Sequence, residues 1–327
     1  MSGPRLRVAV VGAGDFGRNH ARVYQRIDDA ELVGIVDTDP ERARRVAEEF
    51  SSTALPDVES LRGKVDAASV AVPTVHHAEV GGRLLEMGID ILVEKPMAAS
   101  LAEADRLIET ARRHGRVLQV GHLERFNPAV VAVAGIVQQP LYFEVHRLGV
   151  FTPRSLDVDV VYDVMIHDLD ILLAFAGSTV SEVRSLGIPV VTDKVDIAHA
   201  RLEFASGAVA SVTASRVSVE KVRKLRFFQA HEYISLDYGR QDALRIRVRR
   251  PGPKPQFDFE QLPTRPQEPL EGELRAFLDA VRGRTVPVVD GLAGRRALEL
   301  ADRVMTGILE HARSVQLPAL VRPQGSA

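Results

Sequence analysis

The run Gly12-Ala13-Gly14-Asp15-Phe16-Gly17 directly follows a short Val-rich apolar stretch, Leu6–Val11, and directly precedes a helix-like stretch, Phe16–Ile27. That order constrains the fold more than anything else in the chain. The first glycine permits a tight turn, the second lets a pyrophosphate approach the backbone, and the third allows helix to pack closely on strand. The helix start offers free amides and a partial positive charge. A second apolar run, Leu32–Val36, leads into Asp37, 25 positions after Gly12, where a carboxylate accepts hydrogen bonds from ribose hydroxyls. These residues predict a dinucleotide site lined by Gly12, Gly14, Asp15, Phe16, Gly17 and Asp37. A carboxylate at 37 repels a 2′-phosphate, and Thr38 beside it adds no cation. Arg42 shares its helix with Arg44 and Arg45 and reads as solvated. NAD is expected in preference to NADP.

The same alternation of short apolar runs and helical stretches continues to about residue 120. Asp39-Pro40-Glu41 opens a helix, with Asp39 capping free amides and Pro40 where its missing N–H costs nothing. Ala67–Val72, Ile89–Val93 and Val117–Val120 are buried-strand candidates. Ser100 with Glu103 makes a capping box for a helix closing at Gly115. Strands alternating with helices mean a doubly wound parallel sheet covered on both faces.

After about residue 125 the pattern changes to period two. Leu141–Phe151, Ile197–Phe204, Ala208–Val217, Leu225–Gln229, Tyr233–Asp237 and Leu244–Arg249 alternate apolar and polar residues, with turns at Ser206-Gly207 and Tyr238-Gly239. This predicts an antiparallel meander with one open face, interrupted by a helix over Val164–Ala176. Pro251–Pro269, with six prolines, reads as an extended crossing segment, and helices near Glu273–Val281 and Gly294–His311 close the chain. The expected organisation is an α/β domain over 1–122 and an α+β domain over 123–327, whose closing helices can pack back on the first.

Composition narrows the chemistry. Forty-two Lys and Arg against 44 Asp and Glu leave a formal charge of -2, so no whole-chain basic field exists to hold nucleic acid. The chain has no cysteine, which excludes disulfides, thiolate nucleophiles and cysteine-ligated metals. The longest apolar run, Ala129–Val137, stops at nine residues, short of the roughly 18 a membrane span needs. A cytoplasmic protein without nucleic-acid or membrane partners is expected.

Two further clusters carry chemistry. Glu94-Lys95-Pro96 follows the strand Ile89–Val93, at the carboxyl end where open α/β sheets bind ligands. A lysine there can hold substrate hydroxyls and relay a proton. In Tyr162 to Asp170, a helix would place Asp163, His167 and Asp170 at i, i+4 and i+7, on one face. A histidine oriented by a carboxylate one turn away suits a general base. The same three could ligate a metal, but no matching cluster stands elsewhere, so none is expected.

With these motifs in order, the chain resembles the Gfo/Idh/MocA oxidoreductases from residue 6 to about 313. The resemblance rests on Gly12 to Gly17, Pro73-Thr74-Val75-His76-His77, Glu94-Lys95-Pro96, Gly121 to Pro128 and the Asp163/His167/Asp170 helix. It implies a Rossmann domain followed by an α+β domain whose open-faced sheet mediates assembly into a homodimer or homotetramer. It also implies reversible hydride transfer between a nicotinamide and a carbinol carbon of a sugar or cyclitol. By the same resemblance Lys95 contacts substrate and cofactor, His167 is the catalytic histidine and Asp163 its partner, and Thr74, His77 and Glu94 line the nicotinamide half. Met165 stands where many members have glycine, which implies a different substrate-side wall.

The stretch Gly121 to Pro128, together with Met165, is similar to the members that oxidise C3 of UDP-N-acetylglucosamine ahead of an aminotransferase, a step towards the diamino sugars of lipid A. A nucleotide-sugar substrate carries two phosphate charges, so Arg125 and Arg154 are candidate phosphate contacts, with Asn127 and Asp170 beside the substrate. The alternatives are a dehydrogenase of a free sugar or inositol, and a glycoside hydrolase that uses NAD transiently.

Overall fold

The structure is a computed structural model that describes residues 4–152, 158–251 and 254–316. The first stretch builds β1 (Leu6–Val11), α1 (Asp15–Tyr24), β2 (Ala30–Val36), α2 (Pro40–Glu49), β3 (Thr53–Leu55), β4 (Ala67–Val70), α3 (His77–Glu86), β5 (Asp90–Glu94), α4 (Leu101–His114) and β6 (Leu118–Gly121). The six strands form one parallel sheet in the order β3-β2-β1-β4-β5-β6. Strands β4, β5 and β6 are buried at every position, as expected where both faces of a parallel sheet are covered. The capping signals hold. The Asp39 side chain accepts from the Glu41 and Arg42 amides, the Ser100 hydroxyl from the Glu103 amide, and Gly115 ends α4 in the left-handed region.

The chain then builds α5 (Pro128–Ala134), β7 (Tyr142–Leu148), α6 (Ile166–Ala176), β8 (Val180–Ile188), β9 (Ile197–Phe204), β10 (Val209–Ser215), β11 (Val222–Gln229), β12 (Glu232–Asp237), β13 (Asp242–Arg249) and β14 (Gln256–Gln261). These eight strands form one sheet in the order β14-β13-β12-β11-β7-β10-β9-β8. The expected meander is broken at its centre, where β10 runs parallel to β7. A parallel return needs a crossover, and α6 with β8 and β9 supplies it. Edge strands β8 and β14 were not apparent in the sequence. β14 lies inside the proline-rich segment, with Pro255 and Pro263 falling outside the paired residues, the arrangement an edge strand tolerates.

One face of this sheet carries the core. Phe143, Val145, Ala200, Leu202, Val212, Leu225 and Phe227 pack with Met165, Ile166, Leu169 and Leu172. The other face carries a cross-strand row, Val209, Tyr142, Phe228, Tyr233, Ile246 and Phe259, all directly paired in register. Tyr142, Phe228 and Phe259 are exposed, and the Tyr142–Phe228 and Phe228–Tyr233 ring centroids stand 5.9 and 5.2 Å apart.

Two helices close the chain, α7 (Pro269–Gly283) and α8 (Gly291–Ser314). The chain divides into two compact units, the described residues of Met1–Leu123 with Glu268–Arg295, and those of Glu124–Gln267 with Arg296–Ala327. The division after residue 123 lies one residue from the expected cut, and α7 falls in the first unit. There Leu274, Phe277, Leu278 and Val281 share a core with Ala21, Tyr24 and Val10. No helix among the described residues is long and apolar enough to cross a membrane.

Candidate active site

The glycine loop has the geometry its spacing predicts. Gly12 has φ +96°, and a Cβ there would lie 2.5 Å from the Ala71 carbonyl oxygen. A Cβ on Gly17 would fall 1.7 Å from the Gly12 carbonyl oxygen, so α1 meets β1 only through a glycine. Gly14, at the N-cap of α1, instead faces open space, which is the approach a pyrophosphate needs. Asp15 and Phe16 are exposed beside it. Asp37 closes the loop from β2, accepting from the Ala13 amide at 2.6 Å and the Asp39 amide at 2.8 Å. Each of its oxygens keeps a further lone pair for a ribose hydroxyl. Arg42 is less free than its sequence suggests, with its guanidinium 3.8 Å from Asp37 and 3.3 Å from Asp39. A helix start, an open Gly14 and an anchored carboxylate at the end of β2 fit a dinucleotide.

Further along the sheet, the peptide bond between Lys95 and Pro96 is cis. Thr74 lies partly exposed in a one-turn 3-10 helix after β4. His77 is buried, with Nδ1 2.8 Å from the Pro96 carbonyl and Nε2 2.8 Å from the Val72 carbonyl. Its ring braces the Lys95-Pro96 turn. Burial pushes its pKa down, against the two carbonyls that favour its protonated form. The Glu94 carboxylate also turns inward. Its Oε1 pairs with His20 Nε2 at 2.9 Å, and its Oε2 accepts from the Lys95 amide at 3.3 Å. Burial works against the charge on Glu94, but His20, Lys95 and His77 outweigh it and hold the carboxyl below its usual range. Lys95 itself is partly exposed.

The histidine helix opens on a turn of its own. Val161–Met165 forms a π-helical turn, and α6 begins only at Ile166. Asp163 on that turn and His167 on α6 are partly exposed, whereas Asp168 and Asp170 are buried. Asp170 receives the Arg125 Nε and Nη2 at 2.6 and 3.0 Å. Asp168 receives the Arg147 Nε and Nη2 at 2.6 and 2.9 Å, and Arg147 Nη1 also reaches Glu124 at 2.7 Å. The two carboxylates drive the Arg147 pKa above its normal value despite burial. His167 thus sits on a helix locked by two arginines, and π turns recur where a helix must aim a side chain.

Residues expected at the substrate also have partners within the fold. Arg125 and Asp170 hold each other. Asn127 caps α5, accepting from the Ala129 amide and donating to Glu124 and to the Tyr238 carbonyl. Met165 is fully buried in the core. Arg154 lies outside the described residues.

The sequence also concealed residues that the fold brings forward. Arg147 and Arg223 are cross-strand partners on β7 and β11. Arg223 is exposed to solvent on one side, forms no ion pair among the described residues, and has its pKa lowered by partial desolvation and then by Arg147. His20 and Glu273 approach Glu94 from α1 and α7. Only a basic residue breaking the strand alternation at 147, and a lone His on the α1 core face, could have hinted at them.

Residues 6–122 match the oxidoreductase family with an NAD-binding Rossmann fold, and residues 130–231 match the GFO/IDH/MocA C-terminal domain. A UDP-N-acetylglucosamine 3-dehydrogenase from Acidithiobacillus ferrooxidans is 38% identical over 308 residues, covering 93% of this chain and 97% of its own. A solved structure of UDP-N-acetylglucosamine 3-dehydrogenase from that organism superposes with a TM-score of 0.88 at 36% identity, covering 93% of this chain and 98% of the other. A myo-inositol 2-dehydrogenase from Thermotoga maritima is 28% identical over 335 residues, 97% of this chain and 100% of its own.

Proposed function

The chain belongs to the GFO/IDH/MocA family of NAD-binding oxidoreductases, and from that premise we propose that it oxidises the C3 hydroxyl of UDP-N-acetylglucosamine to a 3-keto nucleotide sugar. The observation that carries this reading is the 38% identity to a UDP-N-acetylglucosamine 3-dehydrogenase across 93% of the chain.

Bound NAD supplies the hydride acceptor. Gly12, Gly14 and Gly17 with the amides at the start of α1 hold the pyrophosphate, and Asp37 takes the adenosine ribose. His167, or Lys95 with it, takes the proton of the sugar hydroxyl as the carbon gives up its hydride. Asp163 orients His167. Lys95 donates to the substrate oxygen, with His77 and Glu94 fixing the turn that carries it and Thr74 beside the nicotinamide. Arg154 and Arg223 are the cations for the diphosphate, since Arg125 is engaged by Asp170. The product is a ketone at C3, which suits a following amination on the way to lipid A.

The aromatic row on the open face of the second sheet supports assembly with further copies as a dimer or tetramer, because contiguous exposed apolar residues of this kind mark contact surfaces. The proposed compartment is the cytoplasm.

The test is NADH formation, followed by its near-ultraviolet absorbance, with UDP-N-acetylglucosamine, NAD and an aminotransferase to draw off the ketone. A signal lost in Lys95→Ala supports the reading. Turnover confined to free sugars or inositols, or release of a sugar from a glycoside without net NADH, would keep the family and replace the substrate.

A further inference from the structure

Glu273, on α7, is fully buried, and neither carboxylate oxygen has a hydrogen-bond partner among the described residues. The Gln119 carbonyl oxygen is in the same state, while its amide nitrogen donates to the Glu273 backbone carbonyl at 3.1 Å. One oxygen of Glu273, one of Glu94 and a ring nitrogen of His20 all lie within 4.8 Å of one another. An ionised carboxylate without a donor is strongly disfavoured in such a place, and two carboxylates this close do not both ionise.

The neighbouring groups settle which of the two carries the charge. Glu94 as a carboxylate can only accept, so His20 Nε2 carries the proton of their 2.9 Å hydrogen bond. His20 Nδ1 and the Ser69 hydroxyl stand 2.9 Å apart, as do the Ser69 and Tyr24 hydroxyls. Burial raises the Tyr24 pKa and keeps it protonated. Glu94 thus has the His20 and Lys95 donors, whereas neither carboxylate oxygen of Glu273 has one among the described residues. Burial and then the charge on Glu94 push Glu273 far above the usual carboxylate range, while Glu94 is held below it.

We propose that Glu273 is a neutral carboxylic acid beside the ionised Glu94, and that it is a positioning residue which holds the Glu94–Lys95 turn by leaving Glu94 the one negative charge of the pair. Glu94 has little freedom to move. Its Oε2 accepts from the Lys95 amide at 3.3 Å and its Oε1 is paired with His20 Nε2 at 2.9 Å. Were Glu273 ionised, repulsion would turn Glu94 off His20 and shift the base of the turn. The groups facing the pair are His20 and Tyr24 from α1, Lys95 after β5, Gln119 from β6 and His77 from α3. The positioning role rests on Lys95 acting on the substrate as proposed above. The protonation state does not.

Infrared spectroscopy of the whole protein without substrate tests the protonation. At neutral pH the wild type should show the carbonyl stretch of a protonated carboxylic acid. Glu273→Gln should abolish it. Glu94→Gln should keep it but move its titration to lower pH, because the repelling charge is gone. Absence of the band, a band untouched by Glu273→Gln, or a stoichiometric metal ion in the purified protein would overturn the proposal.

Kinetics test the positioning. Glu273→Ala should lower kcat about tenfold with NADH affinity kept within about twofold, and Glu273→Gln, which keeps the shape and the neutrality, should recover most of the loss. If the Gln variant is no better than Ala, the positioning role falls even where the infrared band is present. If no sugar is turned over, the infrared result still decides the protonation of Glu273.

Discussion

Asp168 places both carboxylate oxygens on the Arg147 guanidinium, at 2.6 and 2.9 Å, one residue beyond His167. Both side chains are buried, and Tyr238 covers the guanidinium with its ring centroid 4.7 Å away. With Arg125 on Asp170, the pair holds α6 on either side of the register that aims His167.

Breaking that pair should be felt in both stability and turnover. Asp168→Asn leaves Arg147 with Glu124 alone, and removal of one partner of a buried ion pair costs about 3–5 kcal/mol. Urea unfolding midpoints should show the loss. The drop in kcat should exceed the drop in folded fraction, because the helix carrying His167 loses an anchor.

The histidine and its carboxylate partner should act on chemistry and not on cofactor binding. His167→Ala should lower kcat by about 10²–10⁴-fold, the range for loss of a general base, with Asp163→Asn at the lower end. Fluorescence titration should find NADH affinity near wild type in both. Normal turnover in His167→Ala would remove it from the mechanism.

Two glycines of the loop should separate folding from binding. Gly17→Ala drives a methyl into the Gly12 carbonyl and should lower the thermal midpoint together with NAD affinity. Gly14→Ala meets nothing within 4 Å and has φ -69°, so stability should hold. Its methyl would stand in the pyrophosphate's approach, and NAD should bind about tenfold more weakly, some 1.4 kcal/mol.

Asp37 has a double duty that Asp37→Ala should expose. The Ala13 and Asp39 amides lose an ionised acceptor, each such bond being worth about 1.5–3 kcal/mol, so the loop should loosen. The ribose contact is lost as well. Arg42, 3.8 Å away, is then freed towards a 2′-phosphate. NAD affinity should fall more than NADP affinity, and the ratio of the two measured by titration gives the result.

Acid should unfold the second unit partly through Asp196. Burial opposes its charge, but the Thr192, Val191 and Val190 amides and Arg216 outweigh burial and hold its pKa far below normal. A depressed folded-state pKa stabilises the protein above the unfolded value, about 3.9, and that stability fades as pH falls through it towards the folded value. Asp196→Asn should therefore be less stable at neutral pH. The gap from wild type should close progressively in acid, as thermal melts across the pH range would record.

The parallel first sheet and the conformation of the glycine loop were legible in the residues themselves. Gly12 to Gly17, the strand before them and Asp37 are a local pattern, and their backbone demands leave one arrangement in space. The capped starts at Asp39 and Ser100 are equally local, as each is settled within one helical turn. What tertiary structure decided was the partner of each charge. Helical spacing alone placed Asp170 beside His167, yet Asp170 belongs to Arg125, 45 positions away. Asp168, which helical spacing did not single out, belongs to Arg147, 21 positions away, and Asp163 falls on a π turn. Glu273 lies 154 positions beyond Gln119, to which its backbone is bonded. Backbone conformation is governed by near neighbours, so it is written in short words of sequence. A buried charge takes whichever opposite charge or proton folding delivers to it, and long-range packing alone makes that delivery.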